Sequence, residues 1–178
     1  MGLLNHYGNR WGVCLVREMN LFIKRLIDFF GSLIGSIIIS PILIVIALLI
    51  KLTSKGPVFF KQERLGKDGK TFKILKFRTM VVNAEKIGDG LFVKTEQDNR
   101  ITKIGKLLRA TSLDELPQLW NVIVGDMSLV GPRPPVPQHP HKYEEYTDIQ
   151  RKRFEMKPGM TGLTQVTVRN SVPWDERI

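Results

Sequence analysis

The run Arg109-Ala-Thr-Ser-Leu-Asp114-Glu115-Leu-Pro117-Gln-Leu-Trp120-Asn121 sets two adjacent carboxylates one turn after an arginine, at the expected start of a helix. An ionised carboxylate can attack phosphorus, as aspartyl-phosphate enzymes do. Its neighbour can hold Mg²⁺, a hard ion that takes oxygen ligands and neutralises phosphate charge. Backbone amides at a helix start favour an ionised carboxylate and attract phosphate. Arg109, Arg133 and Arg169 are candidates to grip a diphosphate through their guanidinium forks. The same spacing also suits simple capping. Ser112-x-x-Glu115 fits a capping box, Asp114 fits an N-cap, and Pro117 then falls in the first turn, where its missing N–H costs nothing.

Those residues need a scaffold, and 178 residues suffice for one domain with a core and a small appendage. A net charge of +10 and a pI near 9.9 call for polyanionic partners: nucleic acid, anionic headgroups or phosphorylated substrates. Nucleic acid is disfavoured, because the basic residues form neither a recognition helix nor an aromatic-basic platform. Cys14 is the only cysteine, which excludes an internal disulfide and a cysteine metal site. His6, His139 and His141 share no metal-ligand spacing, and no P-loop, GxGxxG or zinc pattern is present.

The hydrophobic residues are unevenly spread. From Phe29 to Ile50 the chain runs 22 residues without a charge, roughly 33 Å as a helix against a hydrocarbon core of about 30 Å. A spanning helix fits that length. Two features favour a segment that enters and leaves through one leaflet. Ser40-Pro41 sits near the middle, and proline removes a backbone donor and bends or breaks a helix. Basic residues flank both ends, Arg17, Lys24 and Arg25 before and Lys51, Lys55, Lys61 and Arg64 after, so both ends are expected on the cytoplasmic side. The Ser40 hydroxyl is a candidate partner for the backbone group that Pro41 frees. Asp28 is expected to pair with Lys24 or Arg25. Residues 1–18 do not form a secretory signal, and His6 stands where a myristoylation signal needs Ser or Thr. Met19 is a second plausible start, which makes 1–18 either an interfacial extension or an artefact.

Beyond the anchor, Pro57 to Arg78 predicts a β-hairpin around Gly66 and Asp68-Gly69. Lys76 and Arg78 leave its second strand as a solvated basic edge or as phosphate ligands. Residues 83 to 100 predict a loop. Ile101 to Leu108 predicts a helix with Ile101, Ile104, Leu107 and Leu108 on one face, and Leu113 to Val124 a second with a stripe of Leu116, Leu119, Trp120 and Ile123. The proline-dense stretch Gly131 to Pro137 predicts a stiff extended loop carrying Arg133. His141 to Met156 predicts an amphipathic helix, and the glycine-rich loop after Lys157 leads into a short strand. The fold class is α/β of the α+β kind.

In this set of segments the chain resembles the bacterial sugar transferase family, the monotopic phosphoglycosyl transferases. The matching segments are the basic-apolar anchor with Ser40-Pro41, Gly56-Pro-Val-Phe-Phe-Lys-Gln-Glu-Arg64, Lys76-Phe-Arg-Thr-Met80, Thr111 to Asn121, Gly125 to Pro134 and Lys157 to Val166. They run in order over residues 19 to 177, and the ordered set is far more specific than any one motif. The resemblance implies a re-entrant membrane helix over 19–55, broken at Ser40-Pro41 in the bacterial inner membrane, and a catalytic domain over 56–178 on its cytoplasmic face. It implies Mg²⁺-dependent transfer of sugar-1-phosphate from a UDP-sugar to polyprenyl phosphate, with release of UMP. Carried over by motif, Asp114 is the nucleophile that forms a phosphosugar intermediate, and Glu115 is metal ligand or base. Arg109, Arg133 and Arg169 contact phosphate or nucleotide.

Two departures stand out. Thr167-Val168 precede Arg169 where family members commonly carry a small or polar residue and then glycine, so a different aim is expected for Arg169. The chain also ends at Ile178, where family members usually continue into an acidic, aromatic stretch and an amphipathic helix. The domain is therefore expected to be truncated. Two other functions compete. One is a metal-dependent phosphatase or nucleotidyl transferase on lipid phosphates, which would not consume UDP-sugars. The other is an inactive membrane scaffold for glycan assembly enzymes, indifferent to Asp114.

Overall fold

A computed structural model describes residues 4–86, 98–138 and 140–167, with side chains from Arg17 onward and excepting Glu85. Its first element, α1 (Leu4–Thr53), is one continuous α-helix that carries Pro41 inside it. Residues 17–53 are long and apolar enough to cross a membrane by length and composition. The expected break at Ser40-Pro41 is not a break in the helical chain. Pro41 cannot donate to the carbonyl of Ile37 four residues back, and the Ser40 hydroxyl donates to that oxygen instead at 2.8 Å. The orphaned acceptor is satisfied locally, so the helix continues.

One face of α1 meets the rest of the protein between Lys24 and Ile50. Asp28, Ser32, Ile46 and Ile50 are buried, at spacings that return to the same side of a 3.6-residue helix. The opposite side leaves Ile27, Phe30, Ile34, Ile38, Val45, Leu48, Leu49 and Leu52 exposed. A helix that is apolar on its free face and protein-bound on the other is built to meet lipid.

The globular part begins with the predicted hairpin. β1 (Phe59–Leu65) pairs antiparallel with β2 (Thr71–Phe77), Phe59 opposite Phe77 and Leu65 opposite Thr71, around a 3₁₀ turn at Lys67–Gly69. α2 (Lys103–Ala110) starts at Thr102, whose hydroxyl accepts from the Gly105 amide at 3.0 Å. Of the predicted face, Leu108 is buried but Leu107 is 56% exposed. The predicted helix over 113–124 is a 3₁₀ segment, Leu113–Gln118, followed by α3 (Leu119–Val124). The tighter winding turns its inner face from the apolar stripe to Gln118, Asn121 and Val122, and leaves Trp120 60% exposed.

β3 (Ser128–Val130) lies parallel to β4 (Gly159–Thr161), Ser128 opposite Gly159, with the extended proline loop between. The helix expected over 141–156 is divided into a 3₁₀ turn at Tyr143–Glu145, α4 (Asp148–Arg151) and a further 3₁₀ turn at Lys152–Glu155. Tyr146 and Phe154 pack there against Leu65, while Ile149 faces out. In the glycine-rich segment after Lys157 the short strand is β4 itself, and it is followed by the short helix α5 (Leu163–Thr167). Two further apolar clusters complete the core: Ile46, Ile50, Phe77 and Leu108, and Ile74, Val122 and Met127. The result is a mixed helical fold with small sheets, mounted on one long apolar helix.

Candidate active site

The acid pair is placed by an asparagine. Asn121 is buried on α3; its Oδ1 accepts from the Leu75 amide at 2.9 Å and its Nδ2 donates to the Lys73 carbonyl at 2.8 Å. One side chain thus pairs with the free edge of β2 as a further strand would, satisfying both backbone groups. That docking brings the 3₁₀ segment against β2 and sets Glu115 beside Lys76. A polar residue on the buried side of a helix was the available signal, although the apolar stripe pointed elsewhere.

Glu115 is committed to cations. Lys76 Nζ lies 2.6 Å from its Oε1, and Arg133 Nη2 lies 3.3 Å from the same oxygen. Burial raises the carboxyl, but Lys76 and then Arg133 outweigh it and hold Glu115 below the usual carboxylate range. Lys76 is itself lowered, mostly by burial, against the pull of Glu115. Lys76 is therefore not part of a solvated edge.

Asp114 is in the opposite condition. No described side chain donates a hydrogen bond to it, and only its own backbone amide does so. Burial pushes its carboxyl up, Lys76 and Arg109 oppose that rise, and the Glu115 charge adds to it. Adjacent acids driven in opposite directions are a common arrangement for dividing chemical roles. Capping is excluded as the reason for the pair. Ser112 occupies the N-cap position with φ 58° and makes no side-chain cap, and Asp114 lies inside the 3₁₀ segment. A serine held in the left-handed region beside the acids is local strain.

The cations come from several elements. Arg109 Nε donates to Thr79 Oγ1 at 3.0 Å, and the Thr79 carbonyl accepts from the amide and hydroxyl of Thr102. Gly105 allows this close approach, since a Cβ there would lie 2.0 Å from the Thr79 carbonyl oxygen. Arg64, not anticipated as a site residue, lines the same cleft as Lys76, Glu115, Gln118 and Arg133. It donates to the Pro134 carbonyl at 3.1 Å and so fixes the proline loop that carries Arg133. Burial, then Arg133, lowers its guanidinium to about 10, partly offset by Glu115. Arg64, Lys76 and Arg133 thus share one carboxylate, an excess of positive charge suited to phosphate. Arg78 is not brought to this cleft; it turns to Ser54 at the end of α1. Arg169 lies outside the described residues.

The donor set also bears on a metal. Among the described residues no three His, Cys, Asp or Glu side chains come together. Two carboxylates alone suit a hard ion such as Mg²⁺, which completes its shell with substrate phosphates and water. Asp114, whose oxygens are uncommitted, is the better placed ligand.

Asp28 pairs as expected with Lys24, at 3.2 Å. It also accepts from Ser128 Oγ at 2.7 Å and the Leu129 amide at 2.9 Å, tying α1 to β3. Arg25 donates to the Val122 and Ile123 carbonyls at 2.6 and 2.8 Å, holding the far end of α3.

A family model described as bacterial sugar transferase matches residues 19–178. The chain is 49% identical over 148 residues to UDP-glucose:undecaprenyl-phosphate glucose-1-phosphate transferase of Klebsiella pneumoniae, covering 83% of this chain and 31% of that protein. It is 44% identical over 162 residues to galactosyl transferase CpsE of Streptococcus agalactiae, covering 86% and 35%. It is 46% identical over 151 residues to exopolysaccharide production protein PSS of Rhizobium leguminosarum, covering 83% and 75%. The chain thus spans about a third of the length of the first two relatives and three quarters of the third.

Proposed function

The chain belongs to the bacterial sugar transferase family, and from that premise we propose that it transfers sugar-1-phosphate from a UDP-sugar to polyprenyl phosphate. The observation that carries this proposal is the division between the acids: Glu115 holds two cations while Asp114 keeps its oxygens open. An Asp114 oxygen attacks the phosphorus that bears the sugar, and the bond to the UMP oxygen breaks. UMP leaves with the bond electrons, and the phosphosugar stays on Asp114. An oxygen of the polyprenyl phosphate then attacks the same phosphorus, which frees the Asp114 carboxylate and yields a diphosphate-linked sugar. Lys76, Arg109, Arg133 and Arg64 neutralise the diphosphate before transfer and the departing phosphate after it. Mg²⁺ bound through Asp114 and Glu115 would further neutralise substrate phosphate.

The covalent route lets a water-soluble donor and a lipid acceptor use one site in turn, which requires the site to sit at the membrane surface. The contacts of α1 support that placement. The same small domain touches Lys24 and Ile50, 26 positions apart, or roughly 39 Å along a straight helix against a hydrocarbon core of about 30 Å. A helix crossing the bilayer would separate those contacts onto opposite sides. In this proposal α1 dips into one leaflet, bends at Pro41 and returns, and the flanking basic residues keep both ends at the cytoplasmic face of the inner membrane.

Two experiments test these statements. In nanodiscs with Mg²⁺, undecaprenyl phosphate and a panel of UDP-sugars, the protein should release UMP with one donor and Asp114→Asn should release none. Full activity in Asp114→Asn sinks the covalent mechanism, and no release with any donor favours the scaffold. Second, cysteines introduced at Glu18 and Lys55, in a Cys14→Ser background, should react with an impermeant maleimide from the same side of sealed vesicles. Labelling from opposite sides would establish a spanning helix.

A further inference from the structure

Arg78 is a buried cation for which the transfer chemistry supplies no role. It is 5% exposed, and its Nη2 donates to the Ser54 carbonyl and hydroxyl at 3.0 and 2.6 Å. Its Nε and Nη1 are buried without a hydrogen-bond partner, and no described carboxylate forms an ion pair with it. Two of the five guanidinium N–H donors are used, and three remain. Burial is the one influence that lowers its pKa, with no neighbouring charge in opposition. An unpaired buried cation is costly, and such groups persist where a ligand supplies the missing charge.

The surroundings indicate the class of ligand. Arg78 sits where α1 ends, held by Ser54, and Lys51 and Lys55 on either side of Ser54 in the sequence are exposed. Exposed apolar side chains are close by: Leu52 in the last turn of α1, Val82 against Gly56, and Phe59 stacked on Phe77. Gly56 lies over the guanidinium, with Val82 beside it. Gly56 has φ 120°, and a Cβ there would lie 2.2 Å from Arg78 Nη1 and 2.5 Å from the Val82 side chain. Glycine is required by the backbone and by the space. Buried positive charge, an apolar rim and the end of a long apolar helix are the features that suit the phosphate groups of a membrane.

We propose that Arg78, at the end of α1, is the anion receptor of a lipid-phosphate site separate from the cleft of Asp114 and Glu115. The ligand is a phosphate carried on an apolar chain, from a polyprenyl phosphate or from an anionic phospholipid headgroup. The proposal rests on the membrane placement of α1 given above, and its test reads binding rather than turnover, so its failure is distinguishable from failure of the transfer reaction.

The test uses the whole chain in zwitterionic nanodiscs, followed by thermal unfolding while undecaprenyl phosphate, phosphatidylglycerol, undecaprenol or inorganic phosphate is added. Undecaprenyl phosphate should raise the unfolding temperature of the wild type, and Arg78→Met should bind it at least about tenfold more weakly, the loss expected for a charge-assisted hydrogen bond. Without a lipid phosphate, Arg78→Met should be as stable as the wild type, because an apolar replacement removes an uncompensated buried charge. An equal response to phosphatidylglycerol identifies the headgroup as an occupant; a response confined to undecaprenyl phosphate identifies the polyprenyl lipid. An unchanged response in Arg78→Met, or an equal response to inorganic phosphate or undecaprenol, overturns the proposal. Should the variant not fold, a photoactivatable lipid phosphate on the wild type decides it. Cross-links to Ser54–Phe59 and Arg78–Val82 are expected, and cross-links confined elsewhere overturn the site.

Discussion

Asp28 is buried and Asp114 half-buried, and the two are treated in opposite ways. Asp28 receives Lys24, the Ser128 hydroxyl and the Leu129 amide, so both of its oxygens are taken. Asp114 receives only its own amide. Saturating a buried carboxylate fixes geometry, here the register between α1 and β3. Leaving one open sacrifices stability for reactivity. Glu115 lies between the two cases, since its partners are cations that a phosphate could recruit in turn.

The comparison is broken most severely at Asp28. Asp28→Ala leaves the Leu129 amide unpaired and Lys24 without its counter-charge and should cost about 3–5 kcal/mol, read as a fall in unfolding temperature in detergent with amide exchange rising at Ser128–Val130. Asp114→Asn should do the reverse. Its folded pKa lies above the ordinary value, so the ionised carboxylate weakens the fold once pH exceeds the unfolded pKa. Neutralising it should leave the unfolding temperature unchanged or higher while turnover is lost. A destabilised Asp114→Asn would show that the open carboxylate is structural after all.

A smaller effect separates the neighbours of Asp114. Lys76 holds its pKa down and Glu115 holds it up. The acid limb of the pH–rate profile should therefore move to higher pH in Lys76→Met and to lower pH in Glu115→Gln, whatever each variant does to the maximum rate. Shifts in the same direction would contradict the assignment of Asp114 as the ionising nucleophile. The smallest expected effect is at Ser40, whose hydroxyl answers the carbonyl that Pro41 leaves free. Ser40→Ala should cost about 1–3 kcal/mol, and Ser40→Ala combined with Pro41→Ala should recover most of it, because the backbone donor returns. Absence of that recovery would disprove the pairing.

The hairpin, α2 and the apolar anchor were legible because each is set by local pattern: turn residues between alternating stretches, a helical apolar period, a long uncharged run. The 141–156 segment was not. Its amphipathic pattern is divided because Tyr146 and Phe154 are drawn to Leu65, and packing overrides weak helix propensity in short stretches. The α3 face was misplaced for a related reason, since the 3₁₀ segment before it rotates Asn121 and Val122 inward.

The acid pair, the basic residues able to serve it and the family were determined by sequence alone, because they are carried by residue types in an ordered set of motifs. Tertiary structure decided their condition. Lys76 and Arg78 are two positions apart, yet one faces Glu115 and the other the end of α1. Asp114 and Glu115 are adjacent, yet one is open and the other held by two cations. Sequence spacing says which groups can meet. Burial and the chain's return through Asn121, Arg133 and α1 decide which of them are satisfied, and an unsatisfied charge is where chemistry or a ligand can enter.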